Sequence, residues 1–317
     1  LQVDNPPVIF NSQIDSVKKF NPAYSLYDRT RSFLKVQDGC DYTCSFCTIP
    51  LARGRSRSGS IQETIIKAQE IASSNIKEIV LTGVNIGDFG RSNGEEFLDL
   101  IKALDEIKDI ERYRISSIEP NLLSDEIIHF TLNSQKFLPH FHIPLQSGSN
   151  KILKNMRRRY SIELYADRIK KIKMLNSSTC IGLDVIVGFP GESEDDFQKT
   201  INLIEELDIS YLHIFSYSER LDTDAILIKD KVSTQEIMKR SKILHKLALK
   251  KKKYFYEQNI GSIKKLLIES YQEGFVIGHS ENYIPIKLKG CEKDINKIIN
   301  TKLIALEFDK VIGERQI

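Results

Sequence analysis

The chain has 317 residues, 41% hydrophobic and 28% charged, with a net charge of +3. That balance suits a globular protein with room for one large domain and an appendage. It excludes a membrane span, which needs about 18 consecutive apolar residues, and a disulfide framework, since five cysteines are few and odd in number.

The expected compartment is the reducing cytosol. The opening "LQVDNPPVIFNSQID" carries no signal peptide and reads as linker, or as the cut edge of something longer. From there, short β-branched runs at 32–36, 77–83, 112–118, 140–145, 180–188 and 211–217 alternate with segments of helical apolar spacing at 60–74, 95–107, 124–133, 161–175 and 193–207. In the first helix Ile61, Ile65, Ala68 and Ala72 share a face. Several helices open with Ser followed by Glu or Asp, an N-terminal cap signature. Repeated strand–helix units predict right-handed crossovers and a parallel sheet. Six units over about residues 30–230 fall short of the eight of a closed TIM barrel. An open partial barrel and a doubly wound sheet both fit.

A different pattern follows. Residues 233–259 read as one long helix with a capping box at Ser233 and Glu236, and with Ile237, Leu244, Leu247 and Tyr254 on its apolar face. "SIKKLLIESY", "GFVIGHS", "YIPIKL" and "KLIALEFDKVIG" then alternate with period two, as expected of a small all-β barrel. The boundary falls near Asn259–Gly261.

Cys40, Cys44 and Cys47 lie directly after the first strand, at the end where parallel α/β folds place their ligands. A structural zinc would want a fourth ligand in a second pair, and none follows nearby. Ordinary iron–sulfur clusters take four cysteines. Three leave one iron open for a substrate. The bland alternative is three small, half-buried loop residues.

CxxxCxxC in this position resembles the radical S-adenosylmethionine (SAM) superfamily. "RSFLKVQDGCDYTCSFCTIPLARGRSRS", "IVLTGVNIGDFG", "RISSIEPNLLSDE", "HIPLQSGSNKILKNMRRRY", "DVIVGFPGESEDDF" and "LHIFSYSERLDTDA" resemble, in order, its methylthiotransferases. "SSIEP" with "MRRRY" is most similar to the branch acting on N6-threonylcarbamoyladenosine in tRNA. The last 60 or so residues, with "GFVIGHSENYIPIKL", resemble a TRAM domain, a small tRNA-binding β-barrel. The resemblance therefore implies a partial (β/α)6 barrel over 30–258 and a TRAM barrel over 259–317, preceded by a linker or remnant over 1–29.

It also implies chemistry. Cys40, Cys44 and Cys47 would hold a 4Fe-4S cluster, and SAM would chelate the open iron. One electron, from a donor such as flavodoxin or ferredoxin, would release a 5′-deoxyadenosyl radical. The product would be a methylthio group on C2 of the adenosine beside the anticodon, the tRNA anticodon loop being the partner. Sulfur would come from a second 4Fe-4S cluster in an amino-terminal domain with three more cysteines. Such a domain is missing here, so the chain is expected to cleave SAM without completing sulfur insertion. Isopentenyladenosine in tRNA or a ribosomal-protein aspartate are alternative substrates. A non-catalytic metal-bearing RNA-binding protein is the alternative class.

Individual residues carry paired expectations. Thr82, Gly83 and Asn85 end the second strand, where the superfamily receives SAM's amino group, though Gly83 equally suits a tight turn. Ser117 and Glu119, then Gln146 and Ser147, end the third and fourth strands. Either SAM, a substrate base or loop hydrogen bonds would satisfy them. Arg158 is placed to fork onto SAM's carboxylate, with Arg157 and Arg159 as rivals. Asp184 faces the barrel lumen or pairs with a buried base. Phe215 and Tyr217 stack on adenine or join the core. His140 and His142 share a strand face; no third ligand has matching spacing, which favours lumen packing. Cys180 and Cys291 stand alone, as packing or surface residues. Arg53, Arg55, Arg57 and the lysines near 250 suit RNA phosphates, and Tyr254, Phe255, Tyr256, Phe275 and Tyr283 suit unpaired bases. One departure stands out. The family usually reads Gly-Thr where this chain has Asp222-Thr223, which puts that turn in doubt.

Overall fold

A computed structural model describes residues 14–25 and 30–316. The expected linker over 1–29 lies largely outside the described residues. Six parallel strands follow one another in space: β1 (Arg31–Asp38), β2 (Glu78–Gly83), β3 (Arg112–Ile115), β4 (His140–His142), β5 (Cys180–Val187) and β6 (Tyr211–Ser216). β1–β2–β3 and β4–β5–β6 are each continuously paired. A parallel bridge between Ser117 and His142, with Ile118 N–H donating to the His142 carbonyl at 3.0 Å, joins the two halves. The free edge of β1 carries the short antiparallel strands Ala23–Tyr24 and Arg57–Ser58. The strand order is thus 1 to 6 without reversal. That is a partial barrel, whereas a doubly wound sheet needs a reversal of strand order.

Helices α1 (Ile61–Ala72), α2 (Phe97–Asp105), α3 (Asp125–Asn133), α4 (Ile162–Leu175), α5 (Glu194–Glu206) and α6 (Thr234–Asn259) follow the strands in turn. Ser60, Ser124, Ser161, Ser193 and Ser233 each accept an N–H of the first helical turn. Such a cap is worth about 1 kcal/mol. The capping box expected at Ser233 is only half made, because the Glu236 carboxylate turns instead to Arg240 Nε at 3.2 Å. Inward faces of α1–α5 cover the strands in one core around Leu34, Ile79, Leu81, Phe141 and Leu183. On α1, Ile71 is fully buried while Ile61 and Ile65 are only partly so, rotating the predicted face by a fraction of a turn.

A closed antiparallel-rich barrel completes the chain: β7 (Ile263–Gln272), β8 (Phe275–Ser280), β9 (Pro285–Lys289), β10 (Ile298–Glu307) and β11 (Lys310–Arg315), in the order 8-9-11-10-7. Its core takes in Phe255 and Tyr256 from α6 and Cys180 from β5. It therefore sits under the amino ends of the parallel strands. Arg112 and Arg114 donate to the carbonyls of Lys265, His279, Ser280 and Glu281, and Glu78, Arg112 and Arg114 form a buried ion cluster behind them. The opposite, carboxyl end of the strands is left for loops. No helix among the described residues is long and apolar enough to cross a membrane.

Candidate active site

The loop after β1 is folded back on itself. Gly39 has φ +68°, and a Cβ there would lie 2.0 Å from the Arg55 carbonyl oxygen, so only glycine fits. Asp38 accepts from Gly39 N–H at 2.9 Å and pairs with Arg57 at 3.2 Å; Cys40 N–H donates to the Gly54 carbonyl. Arg57 is thereby engaged in closing the loop. Arg53 and Arg55 remain exposed.

Each cysteine sulfur has its own donor. Tyr42 N–H meets Cys40 Sγ at 3.4 Å, Ile49 N–H meets Cys47 Sγ at 3.4 Å, and Arg158 Nη1 meets Cys44 Sγ at 3.3 Å. Such donors favour thiolate ligands over neutral thiols. Burial works the other way and pushes Cys40 up to about 11, with Cys44, Asp88 and Cys47 adding to it; burial also raises Cys47. As free thiols these two are protonated at neutral pH, and metal loading displaces the protons. Among the described residues, only His142, Asp184 and His213 bring three ligand atoms mutually within 4.8 Å. The three cysteine sulfurs are not gathered that closely.

The three arginines of "MRRRY" part company. Arg157, at φ +58°, pairs with Asp224 at 2.5 Å. Arg159 lies 4.0 Å over the Tyr42 ring and donates to the Asp41 carbonyl. Arg158 alone turns inward, 5% exposed, bound to Glu119 as well as to Cys44. Two residues expected to serve SAM separately thus hold each other. Its neighbour Tyr160 donates to the carbonyls of Pro144 and Leu145, fixing this arm to the end of β4. Ser45 ties the cysteine loop to the same arm through the carbonyls of Asn155 and Met156, and accepts Ala225 N–H at 2.8 Å. Ala225 follows the doubtful turn. Asp222 there adopts φ +62°, the left-handed region that aspartate tolerates better than most residues, so the turn forms with Asp222 in place.

Other expected site residues are distributed unevenly. Gly83 has φ +151° and abuts the Gln37 backbone, a close approach between β1 and β2. Asn85, at φ +52°, donates to Asp88 at 2.9 Å, while its Oδ1 is buried with no partner. An acceptor of that kind fits an ammonium group such as SAM carries. Gln146 is 9% exposed at φ +64°; its backbone spans to Asp184 and Ile186, and Ser147 is closed into its own loop by Ser149 N–H. Tyr217 packs edge-on to Phe189, and Phe189 likewise to Phe46, next to Cys47. Phe215 is half exposed on the same strand. Asp184 does face the lumen, between His142 (3.1 Å) and His213 (3.2 Å). His142 therefore does gain further partners, from two other strands, which spacing along β4 could not reveal. His213 escaped notice, although it shares period two with Tyr211 and Phe215.

Two aromatic expectations fail on burial: Phe255 and Tyr256 are 3% and 6% exposed in the lower core. Tyr283 is half-buried, packed among Arg114, His140 and His279 at the junction of the barrels. Tyr254, placed on the apolar face of α6 by its spacing, is instead half exposed. Phe275 lies under Lys287 Nζ at 4.2 Å.

Known proteins resemble this chain. Residues 34–204 match the family model described as the radical SAM superfamily. A threonylcarbamoyladenosine tRNA methylthiotransferase of Bacillus subtilis is 40% identical over 292 residues, 89% of this chain and 64% of that protein. A tRNA-2-methylthio-N(6)-dimethylallyladenosine synthase of Endomicrobium trichonymphae is 31% identical, over 94% of this chain and 71% of that protein. A solved radical SAM methyltransferase from Kitasatospora setae, with cobalamin and a 4Fe-4S cluster, superposes with a TM-score of 0.52 at 14% identity, over 61% of this chain and 38% of that one; this likeness speaks to the fold alone. Fold and cysteine loop define a radical SAM barrel. The chain belongs to the radical SAM superfamily and, within it, to the methylthiotransferases.

Proposed function

We propose that the chain is the radical-generating and RNA-binding portion of a tRNA methylthiotransferase, with N6-threonylcarbamoyladenosine beside the anticodon as its target. The observation that carries this is the cysteine trio: three sulfurs, each with a dedicated donor, on one loop at the carboxyl mouth of a partial parallel barrel. When bound, a 4Fe-4S cluster with SAM supplies a 5′-deoxyadenosyl radical.

The chain's own residues orient and exclude. Arg158, braced by Glu119, places a positive charge against Cys44 Sγ. Asn85 Oδ1 offers SAM's amino group an acceptor, and Phe46, Phe189 and Tyr217 form an apolar wall for adenine. Gln146, Ser117 and Asp184 line the lumen where a base would enter. The region 30–258 serves as the catalytic core and 259–317 as a TRAM-type tRNA-binding barrel. Exposed Arg53 and Arg55 at the mouth, with lysines along α6, supply phosphate contacts. An anticodon loop is single-stranded, so turning a base out of it costs little. The remaining thiols, buried Cys180 and exposed Cys291, cannot together hold a sulfur-donating cluster.

Anaerobic reconstitution with iron and sulfide, then SAM and reduced flavodoxin, tests the reading. Release of 5′-deoxyadenosine by the chain, abolished in Cys44→Ala, is expected. A reconstituted protein that leaves SAM intact would refute radical generation.

A further inference from the structure

Ser117, His142, Asp184 and His213 form a line across the lumen, one from each of the strands or strand ends β3 to β6. Asp184 and His213 are register partners on adjacent strands. One oxygen of Asp184 accepts from both imidazoles, His142 Nε2 at 3.1 Å and His213 Nδ1 at 3.2 Å, and Ser117 Oγ holds the other nitrogen of His142 at 3.1 Å. Tyr211 lies beneath, its ring 6.1 Å from His142 and its hydroxyl 3.0 Å from His140. The line is therefore closed below and behind. It opens at its last member: side-chain exposure rises from 13% at His142 and 21% at Asp184 to 56% at His213. His213 Nε2 has no protein partner among the described residues.

Nothing in the radical chemistry assigned to the cysteine loop uses this line. Two imidazoles share a single carboxylate oxygen, and the accessible end of the cluster is a ring nitrogen that donates when protonated. Asp184 reinforces this, since its hydrogen bond raises His213. A half-exposed hydrogen-bonding group without a protein partner is costly to cover with an apolar group and, when protonated, favourable to cover with an anion.

We propose that His142, Asp184 and His213 form a carboxylate-reading subsite, with His213 gripping the acid group of an N6 substituent on the target base. This rests on the RNA-modifying role proposed above and sharpens it. Threonylcarbamoyl ends in a carboxylate, whereas dimethylallyl is apolar, so the same contact that holds the first rejects the second. His213 acts as a specificity residue and takes no part in bond making.

The test uses the cluster-loaded chain with SAM and three anticodon stem-loops, bearing N6-threonylcarbamoyladenosine, its uncharged carboxamide, or N6-dimethylallyladenosine. Fluorescence anisotropy is expected to show the carboxylate bound at least about tenfold tighter than the carboxamide. His213→Leu is expected to remove that preference by weakening the carboxylate alone, and His213→Gln, which keeps a donor, to restore part of it. Equal binding of acid and amide by the unaltered chain needs no variant and would overturn the subsite. So would a preference that survives His213→Leu. Failure to bind any of the three would overturn the RNA-modifying role, and the subsite with it. Stoichiometric zinc bound by a chain lacking the three loop cysteines, and lost in His213→Leu, would make the trio a metal site and equally overturn the proposal.

Discussion

Arg158 sits between a carboxylate and a sulfur, so removing its charge strands both. Glu119 is 15% exposed and would be left without its counter-ion. Arg158→Gln is expected to cost about 3–5 kcal/mol, and Glu119→Gln with Arg158→Gln considerably less than the sum of the single changes, since the double variant buries no unpaired charge. Urea unfolding of the cluster-free protein reads this directly; additive losses would mean that the two side chains are not coupled. Asp184 allows a second check. Burial pushes its carboxyl up, but the hydrogen bonds from His142 and His213 outweigh that and bring it down to about 2. The folded value lies below the unfolded value of about 3.9, so ionised Asp184 stabilises the fold above about pH 4, and this is lost as pH falls towards 2. Asp184→Asn is expected to flatten the acid limb of the stability profile in that window. An acid limb identical to that of the unaltered chain would contradict it. At this scale the cysteines stood out in the sequence by their spacing and their place after the first strand. Glu119 was legible only as a strand-end polar group, because its partner lies 39 residues away, and His213 was hidden in an ordinary-looking strand.

Among the elements, α6 separates what periodicity reveals from what it does not. Its expected face held for Leu244 and Leu247, which bury against the parallel strands. By Tyr254 the helix has run past that sheet and meets the lower barrel with a different face, burying Phe255 and Tyr256 instead. A single stripe cannot serve two cores set at different angles. Leu244→Ala is therefore expected to cost about 2–5 kcal/mol, and Tyr254→Ala about 0.5 kcal/mol or less. Thermal or urea melts would show it, and comparable losses at the two positions would contradict the described packing. Serine caps were readable because the Oγ-to-N–H bond is local. The capping box at Ser233 misled because Glu236 is drawn one turn onward to Arg240, whose orientation is set by burial against Glu192.

Across the whole molecule, the two ends of the partial barrel divide the work. The amino end is sealed by the C-terminal barrel through Arg112, Arg114 and Glu78, and the carboxyl end gathers the cysteine loop, the Arg158 arm and the histidine line. Strand count and parallel pairing could be read from the alternation of patterns, whereas the docking of one barrel under the other depends on charged residues inside strands, where sequence shows only interruptions. That the carboxyl end assembles an open-cornered iron–sulfur centre is the central claim. Electron paramagnetic resonance of the anaerobically reconstituted, reduced chain, recorded before and after adding SAM, tests it most directly. The predicted result is a reduced 4Fe-4S signal that shifts when SAM is added and is missing in Cys44→Ala. A spectrum indifferent to SAM, or a chain that retains one zinc ion in place of iron, would contradict it.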